Sequence, residues 1–167
     1  MFRFLLSLML LGVCGCAGYR VGPSSGDPSG SRSVQVVPFA NETLEPRLTD
    51  AVTAQLRKSL QRDNTYKLAT HNDGDVLLSG KIIRYNRHEL SFQPRDVVTV
   101  RDYRITITAQ VQALERASGK IIFDQPISGF TVIRVGSDIV STERQALPLL
   151  AADLAKNVTD LLVDGSW

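Results

Sequence analysis

Cysteine is nearly missing from this chain: Cys14 and Cys16 are its two, both within the first sixteen residues. No disulfide can staple the rest of the chain, which must be held by packing alone. Histidine is equally scarce, with only His71 and His88. His-Glu-x-x-His, Gly-x-Ser-x-Gly and a glycine-rich phosphate loop are all absent, which removes the common signatures of zinc peptidases, serine hydrolases and nucleotide enzymes. No three or four ligand residues recur at a metal-binding spacing. His71 stands beside Asn72 and Asp73 and reads as a solvated loop residue; His88, among Arg84, Arg87 and Glu89, reads as part of a surface charge cluster. An excess of one charge is lacking too. The chain has 19 basic and 17 acidic residues, too even a balance to drive it toward nucleic acid or an acidic membrane surface. No catalytic residue, metal, cofactor or nucleic-acid partner is therefore expected.

Long apolar runs are confined to the beginning. Phe4 to Val13 is apolar except for Ser7 and Gly12, with Arg3 before it. A permanent membrane helix needs roughly 20 apolar residues, so residues 1–15 read as an export signal and stand outside the fold. Val13-Cys14-Gly15-Cys16 then places an aliphatic residue and two small ones before a cysteine. That is the layout of a lipobox, in which the thiol is alkylated with diacylglycerol and the chain is cut just before it. Cys16 is the expected lipidation site; Cys14 follows the large, branched Val13 and fits less well. Ala17 is not acidic, which suits sorting to the outer membrane.

Residues 16–32 read as a lipidated flexible tether, since Gly22 to Arg32 holds no aliphatic or aromatic side chain. As a random coil it would span about 20–25 Å, at roughly 5–6 Å per root residue. Residues 33–167 read as one α+β domain, long enough for a normal core. The spacing predicts a βαβββα order. Val34, Val36, Val37 and Phe39 mark a first strand, and Leu48, Val52, Leu56 and Leu60 mark the apolar stripe of a helix from Pro46 to Arg62. Val76 to Tyr85 is a second strand. In the third, Tyr103, Ile105, Ile107, Ala109, Val111 and Ala113 alternate with Arg104, Thr106, Thr108, Gln110 and Gln112, giving one buried and one wet face. Residues 116–120 form a turn, and Ile121 to Ile133 a fourth strand that Pro126 marks as an edge or a bulge. A last helix carries Leu147, Leu150, Leu154, Val158 and Leu161, with Gly165 as its stop. Thr142 with Gln145 offers a capping box, but Pro148 would then lie inside the helix, so a start near Leu147 is expected. The architecture is a two-layer sandwich, about four mixed strands with two helices on one face.

One segment could bind a ligand. Between positions 81 and 104 the basic residues are Lys81, Arg84, Arg87, Arg95, Arg101 and Arg104, against Glu89, Asp96 and Asp102. Guanidinium forks match phosphate oxygens, which makes Arg84, Arg87, Arg101 and Arg104 candidate phosphate contacts. Decoration of a wet sheet face, blunting an edge strand, is the plainer reading.

The chain resembles the LPS-assembly lipoproteins of the LptE family. The likeness is carried by Cys16-Ala17-Gly18-Tyr19 after the signal, by Val37-Pro38-Phe39-Ala40-Asn41-Glu42-Thr43 before the first helix, and by Asp75-Val76-Leu77-Leu78-Ser79-Gly80-Lys81-Ile82 in the second strand. Ala17, the Ser/Gly-rich tether and Pro148 depart from the pattern. The resemblance implies a non-enzymatic lipoprotein of the outer membrane that plugs the β-barrel LptD and assists delivery of lipopolysaccharide, whose phosphates would suit the arginine segment. Two other readings stay open: a periplasm-facing lipoprotein that activates a cell-wall synthase, and an anchored hydrolase with a buried carboxylate.

Overall fold

The computed structural model describes residues 30–135 and 138–165. The signal peptide, Cys16 and nearly all of the tether lie outside the described residues. The elements run β1 (Arg32–Val36), β2 (Ala40–Asn41), α1 (Leu48–Asp63), β3 (Tyr66–Leu68), β4 (Val76–Gln93), β5 (Asp96–Glu115), β6 (Ile121–Arg134) and α2 (Ile139–Asp164). They form one mixed sheet in the order β3-β1-β4-β5-β6, with β2 also on β4. The class is the expected α+β sandwich, with two short strands more than the alternation predicted. β2 resumes the line of β1 along β4 after Pro38 has interrupted it: Val37 N–H donates to Leu78 O, and Glu42 N–H to Ile82 O, each at 2.9 Å. β3 is too short to carry a period.

The sheet buries one face. Val34, Leu78, Ile82, Ile105, Ile107, Ala109, Val111 and Ala113 all reach 0 % exposure beneath the helices. α1 contributes Leu48, Val52, Leu56 and Leu60, each buried as its four-residue spacing requires. Its first helical residue is Leu48 rather than Pro46. Pro46 instead sits in a preceding turn, after a loop that Asn41 organises by donating from Nδ2 to Glu45 O at 2.7 Å and accepting from the Thr43 N–H at 3.0 Å.

α2 begins eight residues before the expected Leu147. Asp138 is the reason, because its carboxylate accepts from the Val140 N–H at 3.0 Å and satisfies an orphan donor of the first turn. The Thr142–Gln145 capping box is not used; the Thr142 hydroxyl donates to Asp138 O. Pro148 lies within the helix, exposed on its outer side, and Gly165 closes the end at φ 64°. The buried residue of the last turn is Leu162, with Leu161 partly covered beside it. α2 lies directly on β6, where a Cβ at Gly129 would come within 2.3 Å of Leu154 N. Only a glycine lets helix and strand approach this far.

β4 and β5 overrun their expected lengths. β4 continues from Tyr85 to Gln93, and β5 starts at Asp96. The register slips at Ile83 and again at Leu90, so the apolar-polar alternation breaks at both points and the strand is hidden from a period-two reading. The hairpin closes through Pro94 and Arg95, the latter at φ 69°.

Candidate functional site

The face of the sheet opposite the helices carries no covering layer among the described residues. Strand register places its side chains in rows across β4, β5 and β6. One row is Ser91, Asp102 and Arg134; the next is His88, Arg104 and Val132; then Asn86, Thr106 and Phe130; then Arg84, Thr108 and Ser128. Alternate residues of a strand share a face, so successive rows are about 7 Å apart, at roughly 3.4 Å per residue.

Asp102 is the electrostatic centre of the first row. It accepts from the Ser91 hydroxyl, from Arg101 Nε at 2.9 Å and from Arg134 Nε at 3.1 Å. These donors, the Ser91 hydroxyl foremost and then the two guanidinium groups, hold its carboxyl far below the usual carboxylate range. The arrangement leaves Arg134 outermost, its side chain 72 % exposed against 14 % for Asp102. In the next row Arg104 stacks over the Phe130 ring, 4.9 Å from guanidinium carbon to centroid. Phe130 and Val132 are half exposed beside it. Farther along, polar neutral groups take over: the Thr108 and Ser128 hydroxyls lie 2.9 Å apart, and Gln112 Nε2 donates to Asp124 at 2.9 Å.

The four arginines singled out in the sequence are thus divided. Arg84 and Arg104 share the bare face, two rows apart. Arg101 belongs to the Asp102 cluster at its margin. Arg87 sits across from the buried Ile105, on the helix side, where it pairs with Glu143 of α2 and lies 5.5 Å from the Tyr103 ring centroid. Arg134, Phe130 and Val132 escape the sequence reading. Their signal lies in β6, where Ser128, Phe130, Val132 and Arg134 share one parity and Ile127, Gly129, Thr131 and Ile133 the other.

This face suits an anion with an apolar portion. Arginine offers paired donors to phosphate oxygens, and the Phe130–Val132 strip would accept hydrocarbon beside them. Asp75, Asp96, Asp102, Glu115 and Asp138 are all held below the ordinary range, chiefly by hydroxyls of Ser33, Thr99, Ser91, Ser118 and Ser141. Among the described residues, no helix is long and apolar enough to cross a membrane.

Residues 31–163 match the model of the family described as LptE, lipopolysaccharide-assembly. None of the curated proteins matches the chain. Among solved structures, a protein of Xanthomonas campestris is similar at 12% identity and a TM-score of 0.60, with 89% of this chain and 93% of that one covered. A protein of Chlamydia trachomatis follows at 13% identity and 0.57, covering 83% and 97%. A minor lipoprotein of Acinetobacter baumannii is 14% identical at 0.52, covering 79% and 92%. At such identities the likeness is one of fold.

Proposed function

The chain belongs to the LptE family of lipopolysaccharide-assembly proteins, and from that premise we propose that it is an outer-membrane lipoprotein, anchored through Cys16, that plugs the β-barrel LptD. Its role lies in lipopolysaccharide assembly. The observation that carries the finer reading is the family match joined to an open sheet face dominated by Thr106, Thr108, Gln110, Arg84 and Arg104. A barrel lumen is polar and wet, and this face is polar without being uniformly charged. In this reading Arg84 and Arg104, with Arg134 at the margin, meet phosphates of lipopolysaccharide, while Phe130 and Val132 lie against its hydrocarbon.

Anchoring rests on the lipobox. Three acyl chains, at about 0.8 kcal/mol per buried CH₂, hold far more firmly than a single chain does. The test is to label cells with radioactive palmitate and separate their membranes on a density gradient. Label in the intact chain, absent from Cys16→Ser, with the protein in the outer-membrane fraction supports the reading. Label that persists in Cys16→Ser, or a protein banding with the inner membrane, contradicts it.

A further inference from the structure

Among the described residues the sheet has three exposed strand edges, and two of them are disarmed. β3, at one side, is only three residues long. β6, at the other, has no N–H at Pro126; its Phe130 N–H donates to Asp153 Oδ2 at 2.8 Å, and its Ser128 carbonyl accepts from Asn157 Nδ2 at 2.8 Å. Side chains of α2 thus stand in for a neighbouring strand, the kind of protection that keeps edges from pairing with other chains.

The third edge has no such protection among the described residues. β2 leaves β4 after Ile82, where the last bond is the one from the Glu42 N–H. From Arg84 onward, among the described residues, β4 pairs only with β5. Bulges bound the open stretch on both sides, at Ile83 and Leu90, and both bulged residues are apolar and exposed, 39 % and 45 %. Between them run six residues, 84–89, a length of about 20 Å at roughly 3.4 Å per residue. At the start of this stretch a cleft of about 430 Å³ opens between Leu44 of the loop after β2 and Ile83, Arg84 and Tyr85 of β4. Leu44 is fully exposed. The Tyr85 hydroxyl is buried there without a hydrogen-bond partner among the described residues. Burial, and secondarily Glu143 and Glu45, push it up to about 12, so it remains a donor.

We propose that residues 84–89 of β4 accept an extended segment of a partner protein by strand addition, in the line that β1 and β2 vacate. The segment carries apolar side chains at its ends, one for the Leu44–Ile83 cleft and one for Leu90, and acidic residues between them. Main-chain hydrogen bonds supply affinity in this mode, and the flanking side chains supply choice. Acidic character is set by the edge itself, because Arg84 lies on its bare face, with the imidazole of His88, a hydrogen-bond donor to a carboxylate, four residues along. The bulges restrict the partner further: a longer flat strand cannot continue past Ile83 or Leu90. Strand addition at this edge does not depend on the identity of the barrel.

The test uses the full chain in detergent with a defined probe, the acetylated and amidated peptide Leu-Thr-Asp-Val-Glu-Leu. Controls are the same peptide N-methylated at alternate residues and a version with lysine at both acidic positions. Hydrogen exchange should slow within 84–89 and stay unchanged in 122–134. Methylation that blocks one peptide edge should weaken binding at least about tenfold, since several main-chain bonds are lost together. Arg84→Glu with His88→Glu should reverse the preference toward the lysine peptide while leaving the far-ultraviolet circular dichroism as it is. Equal binding by the methylated peptide, protection on β6, or no protection at millimolar peptide would overturn the proposal. So would a concentration-dependent dimer that protects 84–89 unaided, because the occupant would then be a second copy of this chain.

Discussion

Arg104 of β5 and Phe130 of β6 stand on the same uncovered sheet face, with the guanidinium 4.9 Å from the ring centroid. The ring fixes the cation where solvent would otherwise let it sweep, and leaves its N–H fork available to an anion. Arg84 lies two rows away on the same face. Changing both to Glu should weaken lipopolysaccharide binding by more than about tenfold, because charge-assisted hydrogen bonds in a formed site contribute roughly 1.5–3 kcal/mol each. The same reversal at Arg57 and Lys58, exposed on α1, should cost about twofold or less through screened, general electrostatics. Equal losses at the two places, measured on folded variants, would reduce the face to solvated decoration. Arg87→Glu should behave like the control for lipopolysaccharide, since Arg87 faces α2.

Gly129 tests the packing of the two layers. An added methyl would lie 2.3 Å from Leu154 N and 2.7 Å from Leu154 Cα, and backbone cannot yield as a flexible side chain does. Gly129→Ala should destabilise the domain by at least about 1–3 kcal/mol, the usual range for overpacking, seen as a lowered midpoint in denaturant. An unchanged midpoint would mean that α2 does not rest on β6 as described.

Pro148 makes the opposite prediction. It lies inside α2, exposed and without an N–H, where proline costs a helix about 3 kcal/mol relative to alanine. Pro148→Ala should therefore stabilise the protein by about 1–3 kcal/mol and slow amide exchange in residues 139–147. Destabilisation would show that the local geometry at Pro148 is required for α2 to reach both the sheet and α1.

Asp102 gives a pH dependence whose sign is fixed. Its folded carboxyl titrates well below the ordinary 3.8 because Ser91, Arg101 and Arg134 donate to it. A depressed carboxylate stabilises the folded state above its unfolded value, and that contribution is lost as pH falls through the folded value. Hydrogen exchange in residues 91–102 should therefore stay slow from pH 7 to about pH 4 and quicken in more acid solution. Asp102→Asn should exchange quickly at neutral pH and lack the acid transition. An acid transition unchanged in Asp102→Asn would assign the effect to another group.

How much of this is legible in the residues differs from element to element. The buried stripe of α1 and the alternation of β5 can be read directly, because each lies against a single apolar layer and has an unbroken period. The fold class rests on them, whereas the family resemblance rests on residues 16–19, 37–43 and 75–82. The sequence pattern of β4 stops at Tyr85 because the bulges at Ile83 and Leu90 shift the period twice. For α2, Pro148 argues locally for a boundary, and the Asp138 cap with the burial of Ala146 and Leu147 ahead of the proline outweighs it. The arginine segment is visible as composition, but which side Arg84 and Arg87 take depends on the bulge at Ile83. That bulge puts Arg84 on the bare face and Arg87 beneath α2. Arg134 and Phe130 join the site through pairing in space, which one strand read alone does not reveal.

The central claim is partnership with a β-barrel, and co-purification tests it most directly. The chain should be extracted from native membranes in mild detergent, captured by a tag at its carboxyl terminus and resolved by native electrophoresis with mass spectrometry. A single large outer-membrane barrel in roughly one-to-one ratio, which survives Cys16→Ser when both proteins are mixed in detergent, is the result expected of a plug held by protein contacts. Recovery of the chain alone, or with a cell-wall synthase in place of a barrel, would contradict it.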